Sequence, residues 1–337
     1  MRHLSRHLSA LLLPLSLLAA TPQYRLADTG ANRTFTATFG EDSDFTGNVQ
    51  VFKDNGNGTV TDRLTGLVWQ KADGGEMTWE KAKSYAADLK LGGCDDWRLP
   101  TSMELFAMLN QGMHGPALDT SVFTRSEARY WWTDSAGGSD KVWLANTGGG
   151  IGAHRKSEAV SAGGDRPIHA WCVAGASLTG RGPLLVDNRD GTVTDQRTGL
   201  VWQKAPLAKE MTWEQALAHC ASLPPSKAGR WRLPNVKELR SLSDDEKSEP
   251  SVDTKLIPGL RAGPHWSSTS QVNRPARAWY VDFESGLVTY EDKTTALSVI
   301  AVSGGQAAAR PLPKPKPEEI TAGEPGKGGK QKKGGKR

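Results

Sequence analysis

The chain has little cysteine, three residues in 337, and no long apolar run outside its first stretch. So few thiols cannot staple a scaffold, and a hydrophobic core has to carry the fold. No segment after the leader is long and apolar enough to span a membrane. Histidine is sparse too: the seven residues are scattered, and no zinc-type cluster stands in the body of the chain. His219 and Cys220 adjoin on one expected helix, so they face apart and cannot act as base and nucleophile. The pattern offers no catalytic residue, cofactor motif or metal set, and no enzyme is expected. A basic body is also lacking. The net charge is +5, but residues 310–337 hold nine Lys/Arg against three Glu, so the tail carries +6 and the remainder 5 − 6 = −1. The basic character belongs to the tail.

Glycine and tryptophan are abundant, with 37 and 12 residues. They point to turn-rich domains with aromatic anchors rather than a helical bundle. The chain begins as a secretory signal does. Arg2, His3, Arg6 and His7 precede an apolar run from Leu8 to Ala20 that Pro14 interrupts, with cleavage expected after Ala20. No Cys lies near the end of the run, so a lipid anchor is not expected. Export to the periplasm or cell surface permits a disulfide. Cys94 and Cys172, both in the first half, are the candidate pair, and Cys220 would remain a buried thiol. An odd count keeps other pairings open.

The organising stretch is Trp97-Arg98-Leu99-Pro100 with Glu104 beyond it. It recurs as Trp231-Arg232-Leu233-Pro234 with Glu238, 134 positions on (231 minus 97). Each Trp is an apolar anchor, and each Pro suits the opening of a helix. Each Arg, set among apolar neighbours, needs a carboxylate partner, and Glu104 and Glu238 are placed to supply it. This reads as a structural ion pair beside the core. Around it the whole order repeats. Asn55-Gly56-Asn57-Gly58 joins two short alternating runs as a hairpin, and Asp187 to Asp195 repeats it. Leu67 to Gln70 forms a strand. Thr78 caps a helix with Ala82, Tyr85, Ala86 and Leu89 on one face. A second helix runs from about Ser102 to Asn110. Strands then follow at Tyr130–Thr133, Lys141–Leu144 and His169–Val173. The resulting division is a signal at 1–20, a polar lead-in at 21–50, a first domain at 51–175, a linker at 176–184, a second domain at 185–303 and a Lys/Pro/Gly-rich disordered tail at 304–337.

Asp54, Asn55, Asn57 and Asp62, or Asp187, Asp190 and Asp195, could offer oxygen ligands to calcium, but the spacing of a calcium loop is missing and turn chemistry accounts for them as well. Most of the tryptophans repeat between the halves, as core anchors do. Trp131, Trp143 and Tyr280, beside Gly-rich loops, are the candidates for an exposed sugar-stacking face. Lys330, Lys332, Lys333, Lys336 and Arg337 are the candidates for contact with a polyanion by charge alone. Nothing marks a specific nucleic-acid fold.

Taken together, Asn55-Gly56-Asn57-Gly58-Thr59-Val60-Thr61-Asp62, Thr65-Gly66-Leu67-Val68-Trp69, Thr78-Trp79, the two Trp-Arg-Leu-Pro stretches, Trp266-Ser267-Ser268 and Ala278-Trp279-Tyr280-Val281-Asp282-Phe283 resemble the Lcl C-terminal domain family, named for a collagen-like surface adhesin. The resemblance covers about residues 45–175 and 185–303. It implies an exported or surface-displayed protein. It also implies an α+β fold of two tandem compact domains of C-type-lectin-like character, distantly related to formylglycine-generating enzymes, each with two short helices and a twisted antiparallel sheet. The chain departs from the family at Asp134-Ser135, at Ala301 in place of the closing Cys172, and in lacking a collagen-like array. The family brings no common enzymatic activity.

The expected function is that of a secreted, non-enzymatic binding protein of the bacterial envelope that adheres to a glycan or polyanionic polymer. The alternative is a structural or assembly module that binds an envelope protein, and the remotest reading is a degenerate formylglycine-generating enzyme. If polyanion binding resides in the tail, heparin binding by the mature chain will fall steeply with salt and vanish when residues 304–337 are removed. A salt series on both forms checks this.

Overall fold

Each repeat opens with a hairpin and closes by bringing its last strand back beside it. The computed structural model describes residues 24–158, 168–177 and 182–308. In the first repeat β2 (Phe52–Asp54), β3 (Thr59–Asp62) and β4 (Val68–Gln70) follow a short β1 (Phe45–Thr46). Helices α1 (Trp79–Asp88) and α2 (Ser102–Met108) come next, and then β5 (Tyr130–Ala136), β6 (Lys141–Asn146), β7 (Ile151–Arg155), β8 (Ile168–His169) and β9 (Val173–Ala174). The second repeat copies the order: β10 (Leu185–Asp187), β11 (Thr192–Asp195), β12 (Val201–Gln203), α3 (Trp213–Ser222), α4 (Val236–Arg240), β13 (Pro264–Ser270), β14 (Arg277–Asp282), β15 (Leu287–Asp292) and β16 (Val302–Ser303), with β17 (Ala307–Ala308) at its end. The described chain is thus mostly sheet with four short helices.

The local chemistry explains the elements. Asn55 Nδ2 donates to Thr59 and Thr61 across the first hairpin, and Lys71 pairs with Asp54 at 2.6 Å. Asn188 and Lys204 do the same in the second repeat. Thr101 and Asn235 cap α2 and α4 through full capping boxes whose third residues are Glu104 and Glu238. Pro100 and Pro234 therefore lie just ahead of the caps rather than inside the helices. Ala82 and Ala86 are the buried positions of α1.

Strands β2-β3-β4-β9 form one four-stranded sheet and β10-β11-β12-β16 its copy. The remaining large sheet belongs to neither repeat alone: its order is β13-β14-β15-β7-β6-β5-β8. The third strand of each repeat's β-meander meets its counterpart, antiparallel, at Ile151 and Val288. These two positions are equivalent, since Ile151 pairs with Ala145 and Val288 with Val281. The joint is therefore a pseudo-two-fold seam, like a dimer interface built into one chain.

Packing at the seam is reciprocal. The ring of Trp143 lies against Gly286, where an added Cβ would come within 3.1 Å, and the ring of Trp279 lies against Gly149, also at 3.1 Å. Both glycines have positive φ, 84° and 108°, so a side chain there meets backbone strain as well as the ring. One apolar core runs through the joint, from Leu105, Phe106, Trp143 and Ile151 to Val236, Leu239, Trp279 and Val288. Each repeat keeps a smaller cluster of its own beneath its longer helix, around Trp132 in one and Trp266 in the other.

The lead-in is not a loose arm. Glu41 to Asp44 are buried. Asp42 accepts from Thr29 and from Thr269, each at 2.7 Å, and Ser270 donates to Glu41. Burial pushes the Asp42 carboxyl up to about 7, against the pull of those hydroxyls. β1 pairs with β17, so the ordered second repeat extends to Ala308 rather than ending at 303. A truncation that spares the fold therefore begins after Ala308. The expected signal at 1–20, residues 178–181 of the expected linker, and Lys330, Lys332, Lys333, Lys336 and Arg337 lie outside the described residues.

The proposed disulfide between Cys94 and Cys172 is not formed: all three cysteines are free. Cys172 fills a core position, where the second repeat has Ala301, and burial pushes its thiol up to about 12. Cys94 instead closes a turn onto Leu91.

A shared core predicts shared unfolding. Gly286→Ala is expected to cost about 1–3 kcal/mol and to lower both repeats together in a single denaturant transition. Two separated transitions, or no loss of stability, would contradict the seam.

Candidate functional site

The two Trp-Arg-Leu-Pro stretches organise structure. Arg98 meets Glu104 through two hydrogen bonds of 2.7 and 2.9 Å, and Arg232 meets Glu238 through two of 2.6 Å. The same carboxylates accept from the cap nitrogens of Thr101 and Asn235. Each Arg also reaches the closing segment, at Gly175 O and Gly304 O. One ion pair thus fastens the Trp strand, the helix start and the last strand. The Arg98 side chain keeps 26% exposure, whereas that of Arg232 keeps 5%, because Phe45 of the lead-in stacks on its guanidinium.

Trp131 and Trp143 are buried and offer no face to a sugar. Trp131 packs on Trp171 and donates to Asp73, and Arg240 stacks 4.5 Å above Trp143. Tyr280 is half-buried, edge-on to Trp266. The hairpin carboxylates hold their turns. Asp54 bonds Gly56 N and Lys71, and Asp195 bonds Arg197 N and Thr198. Among the described residues no group of three or more His, Cys, Asp or Glu is placed to hold a metal ion. Burial pushes the Cys220 thiol up to about 12, partly opposed by Arg232, so it is not a thiolate at neutral pH.

A cleft lies at the seam. Its volume is about 470 Å³, and residues of both repeats line it. β5 contributes Tyr130 and β7 contributes His154, whose rings meet at 5.4 Å. β15 contributes Tyr290, set edge-on to Trp279 at 5.6 Å. The loop Gly148–Gly150 brings bare backbone to the wall. His114 and Asn273, one from each repeat, are hydrogen-bonded at 3.0 Å beside it, and Arg274 supplies a cation. Two buried polar atoms in this wall, Gln271 Oε1 and Trp279 Nε1, form no hydrogen bond within the protein. One is an acceptor and the other a donor, and a buried polar group without a partner is costly.

Sequence reasoning missed this cleft because each repeat carries only half of it. Tyr130 and Tyr290 have unlike neighbours in the chain, and no single-repeat pattern joins them. The only signal was the run Gly148-Gly149-Gly150.

The architecture defines a tandem-duplicated, mostly β protein with antiparallel and mixed sheets and a cleft between its halves. The profile of the Lcl C-terminal domain matches residues 58–174 and again 191–303. The chain belongs to that family, in two tandem copies. No curated protein matches it. No helix among the described residues is long and apolar enough to cross a membrane.

The two ion pairs differ in burial, and this predicts unequal costs. Glu238→Ala strands a buried guanidinium and is expected to lose about 3–5 kcal/mol. Glu104→Ala leaves Arg98 in contact with water and should lose about 1–3 kcal/mol. Denaturant melts of the two variants measure the difference.

Proposed function

We propose that the chain is a secreted, non-enzymatic binding protein of the bacterial envelope or surface, and that a glycan occupies the seam cleft. The observation that carries this reading is the pair of unsatisfied atoms, Gln271 Oε1 and Trp279 Nε1, in a wall that also holds Tyr130 and Tyr290. A hydroxyl both donates and accepts, so a polyol carries the kinds of group that these two atoms lack. The phenol rings give it apolar faces to lie against. A C-type-lectin-like character accords with this use but rests on the sequence resemblance alone. Export rests on the leader pattern from Arg2 to Ala20. The basic tail supports a second reading, contact with a polyanionic polymer, which the tail truncation separates from binding at the cleft. A structural or assembly role with an envelope protein is the remaining alternative.

Binding of the purified mature chain to an oligosaccharide array, followed by titration of the best ligand, tests the cleft. Tyr130→Ala and Tyr290→Ala are each expected to weaken binding about tenfold, for a loss near 1.4 kcal/mol, with the fold retained. An array with no bound glycan, or variants that bind as the wild type does, would sink the reading.

A further inference from the structure

The seam holds a second cleft, of about 460 Å³, that shares Gly152, His154 and Leu287 with the first. It is the pseudo-two-fold copy. Trp143 stands where the first has Trp279, and Gly137 where the first has Gln271. The indole donor is kept: Trp143 is 2% exposed and its Nε1 has no hydrogen-bond partner in the protein. That nitrogen lies beside Gly137 in the cleft wall, 3.5 Å from where a Cβ would be. The acceptor has changed. The amide of Gln271 has no counterpart at Gly137, and the acceptors here are Glu249 and Glu284, held side by side by a 2.7 Å hydrogen bond from Glu249 N to Glu284 O. Both are exposed, and among the described residues neither forms an ion pair. Of the other charges on this wall, Asp245 pairs with Arg240, and Lys247 with Asp244 at 3.2 Å. Lys141 also lines the cleft, which still holds four carboxylates against two lysines.

We propose that this cleft is a second subsite, for a protonated amine beside a hydroxyl, and that the two clefts together form one track for an amino-sugar polymer. The inference rests on the glycan reading of the first cleft. A neutral hydroxyl meets the indole donor in both clefts, but two unpaired carboxylates favour an ammonium over an amide or a second hydroxyl. The shared residues make the clefts contiguous, so a single chain can occupy both and gain from the linkage.

The test titrates the full mature chain with a hexamer of β-linked glucosamine and with its fully N-acetylated counterpart, at a pH where the amines are protonated and at fixed salt. The amine form is expected to bind about tenfold tighter, the equivalent of one charge-assisted contact. Glu249→Gln with Glu284→Gln should remove that preference and leave binding of the acetylated hexamer unchanged, while Tyr130→Ala weakens both. Equal affinity for the two hexamers in the wild type, or a preference that survives the double substitution, overturns the amine subsite. The glycan reading then stands so long as the acetylated hexamer binds and Tyr130→Ala weakens it. Failure of both hexamers to bind overturns the amine subsite together with these sugars as ligands of the first cleft.

Discussion

The structure depends on a mutual fit between two tryptophans and two glycines. Trp143 of the first repeat needs a residue without a side chain at 286, and Trp279 of the second needs one at 149. Each repeat therefore completes the other's core. A large ring buried at a joint contributes much of the apolar area removed from water, and close packing makes such a joint intolerant of added atoms. The seven-stranded sheet follows from this fit, because the ring-on-glycine contacts bring Ile151 and Val288 to hydrogen-bonding distance. The clefts follow too, since Gly-rich loops that admit a ring leave little side chain to fill the space beside it.

Within this frame the duplicated parts divide into those that stayed and those that diverged. The Arg–Glu pairs stayed, since each satisfies a guanidinium, a helix cap and a closing segment at once. The inner face of the second short helix diverged. Where α2 presents Met103 and Phe106, α4 presents Lys237 and Arg240, both buried. Lys237 reaches carbonyls of Asp28 and Ala107, each at 2.8 Å, and burial pushes its amine down to about 7. Arg240 stacks on Trp143 and pairs with Asp245. A buried cation adds little net stability, but it punishes any arrangement that leaves it unpaired. These two side chains thus give the joint a fixed pairing of unlike halves and draw the lead-in across it. The lead-in in turn shields Arg232 through Phe45.

Most of each repeat was legible in the chain. The cap at Thr78, the Asn-Gly and Asp-Gly hairpins and strand alternation are local signals, and they gave helices and strands close to their observed bounds, whereas the caps at Thr101 and Asn235 emerged only in the structure. The Arg–Glu pairing was legible because a charge among apolar neighbours requires a partner and a Glu stands near the first turn of each following helix; that the same Glu closes a capping box was seen only in the structure. The burial of Trp131 and Trp143 was not legible, because a Trp beside glycine reads as exposed when the glycine admits a loop but as buried when the glycine admits the ring of another repeat. The free state of Cys172 was hidden for a similar reason: export permits a disulfide, whereas the site demands only a small apolar side chain, as Ala301 attests.

The sequence by itself determined the duplication, the family, the element order within each repeat and the ion pair at its centre, because these depend on residues close in the chain or on a pattern seen twice. Only the tertiary structure decided that the repeats share one sheet and one core, that the polar lead-in is built into them, and that Tyr130, Gln271, Trp279 and Tyr290 border one cleft. Those features depend on how two similar surfaces meet, and contact between distant segments is set by shape and burial across the joint, which no local pattern encodes.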